Sequence, residues 1–179
     1  MSQKIAVSVQ MDAKTFRDSV LFDLFHHRKR WRSPLLFTCI LLASSGICMT
    51  QIGKRDGAGL LTAVLAIIAL GIPAVYFGVF FHDLSKQIKK MNLPRPFYRL
   101  EVDNTMLRVW MAGQQDKAQP TVQYELDQLH CVYRTENALH IYVQPTQAYL
   151  LNESIETFWN ILSAKLPAEK LHDCRSKKA

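Results

Sequence analysis

Between Arg32 and Asp83 the chain carries only three charged residues, Lys54, Arg55 and Asp56, and these separate two uncharged runs, Ser33 to Gly53 and Gly57 to His82. At a helical rise of 1.5 Å per residue the runs extend roughly 31 and 39 Å, and either covers a hydrocarbon core of about 30 Å. A transmembrane hairpin is therefore expected, with spans over 33–53 and 59–82 joined by a short loop over 54–58. A mean hydropathy of -0.03 conceals this, because averaging merges two apolar blocks with polar flanks. The first run begins only at Ser33, is too long for a signal-peptide core and lacks a small-residue cleavage site after it. Both runs are expected to persist.

The formal net charge is +7. It is not spread evenly: residues 1–33 hold seven Lys/Arg against three Asp, whereas 97–166 holds five basic residues against eight acidic ones. The positive charge borders the apolar runs, as topology-setting charge does, and the largest polar segment is mildly acidic, which argues against nucleic-acid binding. Arg28, Lys29, Arg30 and Arg32 precede the first run and Lys86, Lys89 and Lys90 follow the second, against Lys54 and Arg55 in the loop. The positive-inside bias places both termini in the cytoplasm. Trp31 within the basic cluster suits an interfacial anchor, and the eight residues Arg28 to Arg32, Lys86, Lys89 and Lys90 form the expected contact with the interface and its anionic lipids.

Cys39 and Cys48 are nine residues apart in the first run, so they point to opposite sides of one helix; Cys131 and Cys174 fall in the expected cytosolic part. All four are read as free thiols, and their spacing matches no CxxC metal site.

Outside the runs, Ile5, Val7, Val9 and Met11 alternate with polar or small residues, which predicts a half-buried strand. Asp12 then suits the cap of a helix carrying Phe16, Val20 and Leu24 on one face, which leads into the basic cluster and completes an N-terminal segment, 1–32. Ser33-Pro34 marks a helix start. A basic linker, 83–96, follows the second run and ends in Pro94 and Pro96. Six alternating segments come next, marked by Tyr98 to Val102, Leu107 to Met111, Val122 to Leu126, Leu129 to Tyr133, Leu139 to Val143 and Ala148 to Leu150. Ser154 then suits the cap of a helix with Ile155, Phe158, Trp159, Leu162 and Leu166 on one face, and Pro167 stops it. A small β-rich domain over 97–166 and a basic tail over 167–179 result. Six strands bury little core, so the strand at Ile5 to Met11 is expected to join their sheet. The fold class is α+β: a two-helix transmembrane hairpin plus a small cytosolic, pleckstrin-homology-like sandwich or barrel capped by a C-terminal helix.

The segments FRDSVLFDLFHHRKRWR, VQYELDQLHCVYRTENALHIYVQPTQAYLL and SIETFWNIL, in that order around two spans, resemble the YcxB-like family of bacterial membrane proteins. The family tends to show Trp where Tyr124 stands and a Pro-Lys pair near Asn152-Glu153. The resemblance implies a multi-pass protein of the bacterial cytoplasmic (inner) membrane with a YcxB-like C-terminal domain. It implies no catalytic residue.

The residues support no other active centre. No GxSxG, P-loop or HExxH is present, and neither run holds an ionisable group other than the terminal His82, which argues against a stand-alone pump or channel. His26 and His27 point about 100° apart on a helix, so only one could face His82, and no metal or other cofactor is expected. Ala66, Leu70, Ala74 and Gly78 share a stripe in the second run, and Ala74-xxx-Gly78 is a small-xxx-small spacing. Its expected use is packing against the first span, with homodimerisation as the second. Together these readings point to a non-catalytic, membrane-tethered interaction or regulatory module, whose partners are membrane lipids, an unidentified protein or a second copy; the alternative is an accessory subunit of a membrane transporter or lipid-linked enzyme.

Overall fold

The computed structural model describes residues 5–114 and 117–175. The protein is α+β and divides into two units, one formed by residues 20–92 and the other by the segments on either side of them.

The first unit is helical. A π-helical turn, Asp23–His27, precedes two long helices, α2 over Arg32–Met49 and α3 over Ala58–Lys90. Both are long and apolar enough to cross a membrane. Their limits differ from the sequence expectation. Helix α2 stops at Met49, so the connection covers eight residues, and α3 runs past His82 to Lys90, through most of the segment read as a linker. Asp83, Ser85 and the lysines are all tolerated in a helix, so charge ends the apolar run without ending the helix. The chain leaves α3 at Asn92, whose φ of 47° is left-handed.

The two helices pack antiparallel through hydroxyl groups spaced seven residues apart. The Thr38 hydroxyl shares its one proton between the Pro34 carbonyl of its own helix (2.9 Å) and the Ala69 carbonyl (3.1 Å), and the Ser45 hydroxyl donates to the Thr62 carbonyl (3.0 Å). A seven-residue repeat on both partners is the spacing of a left-handed helix pair. Pro73 lies inside α3 and lacks the N–H that would bond the carbonyl four residues back, which is that of Ala69. Thr38 thus offers that carbonyl, from the neighbouring helix, a shared donor in place of the one Pro73 lacks. The expected stripe on α3 is not the one used: Ala66 is half-buried, but Leu70, Ala74 and Gly78 are exposed, and a Cβ built on Gly78 would meet nothing within 4 Å. Small polar residues that hydrogen-bond across the pair outcompete small apolar ones that can only approach.

The second unit holds two four-stranded sheets. One has the order β1-β2-β3-β4, from Ile5–Met11, Arg95–Val102, Met106–Met111 and Val122–Glu125. The other has the order β7-β6-β5-β8, from Gln147–Leu151, Leu139–Gln144, Cys131–Arg134 and Leu171–Asp173. The N-terminal strand joins the sheet as expected, antiparallel to β2 from Ile5↔Val102 to Met11↔Arg95, with a bulge between Val9 and Gln10. Met11 and Arg95 are thus the last pair of a ladder whose connecting loop has been replaced by residues 12–94. After β1 comes α1, Ala13–Phe22, capped as expected: Asp12 accepts from the Thr15 N–H at 2.6 Å.

One core lies between the sheets. Val9, Leu100, Val102, Leu107 and Val109 meet Val132, Leu139, Ile141 and Leu151, and α4, Ile155–Lys165, adds Phe158 and Leu162. Three expectations need correction here. Leu129, Cys131 and Tyr133 do not form one face, because the 3-10 turn Leu126–Gln128 shifts the phase and Val132 enters the core instead. Ser154 precedes α4 but makes no side-chain cap, its backbone being left-handed at φ 53°. The tail contains an eighth strand, β8, parallel to β5, and α4 supplies the crossover that a parallel pair requires.

Candidate functional site

The basic cluster before α2 is held by its own neighbours. The Arg28 N–H bonds the Asp23 carbonyl, and its Nε pairs with the Asp23 carboxylate at 2.9 Å, closing the π-helical turn. Lys29 takes a left-handed backbone, φ 51°, and the Arg32 N–H then bonds the Lys29 carbonyl. Trp31 donates its indole N–H to the Phe25 carbonyl (3.0 Å) and lies with its ring 6.3 Å from that of Phe25, which stacks on Phe77 of α3 at 6.5 Å. Trp31 therefore pins the turn to the helix pair, beyond any anchoring in head groups.

Arg30 and Arg32 line an open groove of about 880 Å3 between α2 and α3. Ser33 and Tyr76 add hydroxyls, and Phe37 and Ile72 form part of the apolar wall. Arg30, Arg32, Ser33, Lys86, Lys89 and Lys90 are exposed. Among the described residues, no side-chain hydrogen bond or ion pair engages Arg30, Arg32, Ser33 or Tyr76, and no acidic residue lines the groove.

Of the expected interfacial residues, the structure brings Arg30 and Arg32 together, gives Arg28 an internal partner, and sets the lysines elsewhere. With Thr38 level with Ala69, Arg32 is level with about residue 75 of α3, so Lys86 to Lys90 stand roughly 16 to 22 Å farther along the axis. His82 is likewise about 10 Å beyond Arg32. Sequence reasoning missed Ile72 and Tyr76. A signal for them exists: folding the chain about Arg55 sets Ile72 and Tyr76 opposite Thr38 and Pro34, within a few residues of the basic cluster.

The two-sheet unit has its own polar sites. The Tyr98 hydroxyl, on β2, donates to the Leu150 carbonyl (2.8 Å) and accepts the Leu150 N–H (2.6 Å), tying one sheet to the other. Burial raises its pKa well above the ordinary value. Tyr149 packs edge-on against Tyr98 and shares a 3.3 Å hydrogen bond with Tyr124, in the position where the resembled family tends to show Trp. Asp103 accepts from the Thr105 and Met106 N–H groups and pairs with Arg108 at 2.8 Å; burial pushes its pKa up, but these donors outweigh it and hold the carboxyl below the usual value. Burial pushes the Cys131 thiol up, as expected of an inert thiol, and Tyr133 up to about 12. His140, buried on β6, is lowered to about 4. Arg134 is buried beside the Trp159 ring and donates to Glu156.

All four cysteines are free, and among the described residues no three His, Cys, Asp or Glu side chains are placed to hold a metal ion. Comparison with protein-family models, curated proteins and solved structures finds no match to this chain, so the YcxB-like resemblance rests on the residue pattern alone.

Proposed function

We propose that the protein is a non-catalytic module tethered to the bacterial cytoplasmic membrane, with α2 and α3 as its two spans and the two-sheet unit as a cytosolic interaction or regulatory domain. The observation that carries the reading is a contrast in burial. The two-sheet unit has a closed core, whereas Leu36, Ile47, Leu60 and Ile67 on the two helices are 63%, 69%, 73% and 71% exposed. A long apolar helix in the core of a soluble protein is mostly buried; two that expose their large side chains all round are suited to lipid.

The sheet orders β1-β2-β3-β4 and β7-β6-β5, followed by α4, support a pleckstrin-homology-like reading, and β8 is an addition to it. Membership of the YcxB-like family is part of the proposal and rests on the residue pattern alone. Such a domain presents loops and sheet edges for docking.

Crosslinking of the full-length protein in native membranes, followed by affinity capture, tests the reading. The control lacks residues 1–11 and 93–179 together, since β1 belongs to the sheet it would otherwise leave unpaired. A reproducible partner that the control fails to capture is the expected result. Recovery of the protein in the supernatant of an alkaline carbonate wash, or no partner from abundant folded protein, overturns it.

A further inference from the structure

We infer that the groove between α2 and α3 is a binding site for one anionic phospholipid molecule, with the phosphate at Arg30, Arg32, Ser33 and Tyr76 and an acyl chain along Phe37 and Ile72. The inference rests on the membrane-inserted reading of the hairpin and adds a defined ligand to it.

The charge of the groove is uncompensated. Arg30, Arg32, Ser33 and Tyr76 all line it with no side-chain hydrogen bond or ion pair among the described residues, and no carboxylate shares the lining. Arg28, two residues away, shows what the alternative looks like: its charge is met by Asp23 at 2.9 Å. Guanidinium forks fit phosphate oxygens in pairs, which a lysine ammonium does not. The rest of the lining is apolar and belongs to the spans themselves, so a ligand that fills it must be charged at one end and hydrocarbon at the other. Basic pockets between membrane helices on the cytoplasmic side suit anionic head groups for this reason. A soluble phosphate would leave Phe37 and Ile72 uncovered, and a zwitterionic lipid would bring its own cation to the arginines.

The test uses the full-length protein, purified in mild detergent, delipidated, and offered equal amounts of dioleoyl phosphatidylglycerol and dioleoyl phosphatidylcholine, with retained lipid counted by native mass spectrometry. One phosphatidylglycerol held in preference to phosphatidylcholine is expected. R30Q/R32Q should weaken its retention roughly thirtyfold, from two lost cationic contacts, whereas K86Q/K89Q/K90Q, which removes more charge outside the groove, should leave it unchanged. Ile72→Trp fills the groove with both arginines in place and should also release the lipid. Equal retention of the two lipids, equal losses in the arginine and lysine variants, or retention by I72W each overturns the site. The carbonate wash on the same preparations separates the two failures: protein in the pellet without bound lipid overturns only the site, and protein in the supernatant overturns the membrane reading beneath it.

Discussion

The Tyr98 hydroxyl serves two backbone groups of Leu150 at once, so Tyr98→Phe leaves both a buried N–H and a buried carbonyl without that partner. A loss of about 1–3 kcal/mol is expected, read from urea denaturation followed by far-ultraviolet circular dichroism; an unchanged midpoint would show that the two sheets need no such tie. His140 offers a pH-dependent counterpart. Its pKa of about 4 lies below the ordinary 6.5 because burial disfavours the charged ring, so the unfolded chain takes up a proton first as the pH falls. Stability is complete above about pH 6.5 and declines toward pH 4. Between pH 7 and pH 5 the loss is about 2 kcal/mol, and His140→Gln should flatten that part of the pH profile. Neither residue was legible as special in the sequence. Tyr98 read as one apolar position among many, and His140 fell on the strand face assigned outward, because alternation reports one buried face and β6 is buried on both.

Helices and strands were read more reliably than their ends. The two apolar runs located α2 and α3 correctly, and the Asp12 cap and all six alternating segments correspond to structure, since each is local chemistry. What failed depended on a partner. The face of α3 that packs could not be chosen without knowing that Thr38 stands opposite Ala69, and β8 has only three residues whose place comes from pairing with β5. The partnership of Thr38 and Pro73 carries a prediction at this scale. Thr38→Val should destabilise the helix pair by roughly 0.6–1.7 kcal/mol, since it removes the donor to the Ala69 carbonyl. Pro73→Ala restores a donor within α3, so T38V should cost measurably less in a P73A background. A steric-trap or detergent-denaturation double-mutant cycle measures this, and strictly additive effects would show that the two residues act apart.

For the whole chain, the sequence suggested the organisation, a helical hairpin flanked by the pieces of a single β-rich unit, because a strand at Ile5 to Met11 had no other sheet to join. It did not show that residues 12–94 occupy the place of a hairpin loop, a fact that only the register of Met11 with Arg95 reveals. Replacing those residues with Asn-Gly, which favours the tight turn of a two-residue hairpin, should therefore give a soluble protein with a dispersed amide spectrum; an aggregated product would show that the sheets depend on the helices to fold. Topology is checked by labelling. In a variant with Cys39, Cys48 and Cys131 changed to Ser, the exposed Cys174 should react with an impermeant maleimide only after the cells are opened, while a Cys at Lys54 in the same background, with Cys174 also changed to Ser, should react beforehand. The ladder has a mechanical consequence as well. Because both connections leave β1 and β2 at their paired end, a force that spreads those connections apart loads the hydrogen bonds in series, starting at Met11 and Arg95, rather than all together in shear. The strand pair is then a zipper held at its slider, the most compliant way to fasten a sheet, and lateral tension between the two connections would open it one residue pair at a time toward Ile5 and Val102.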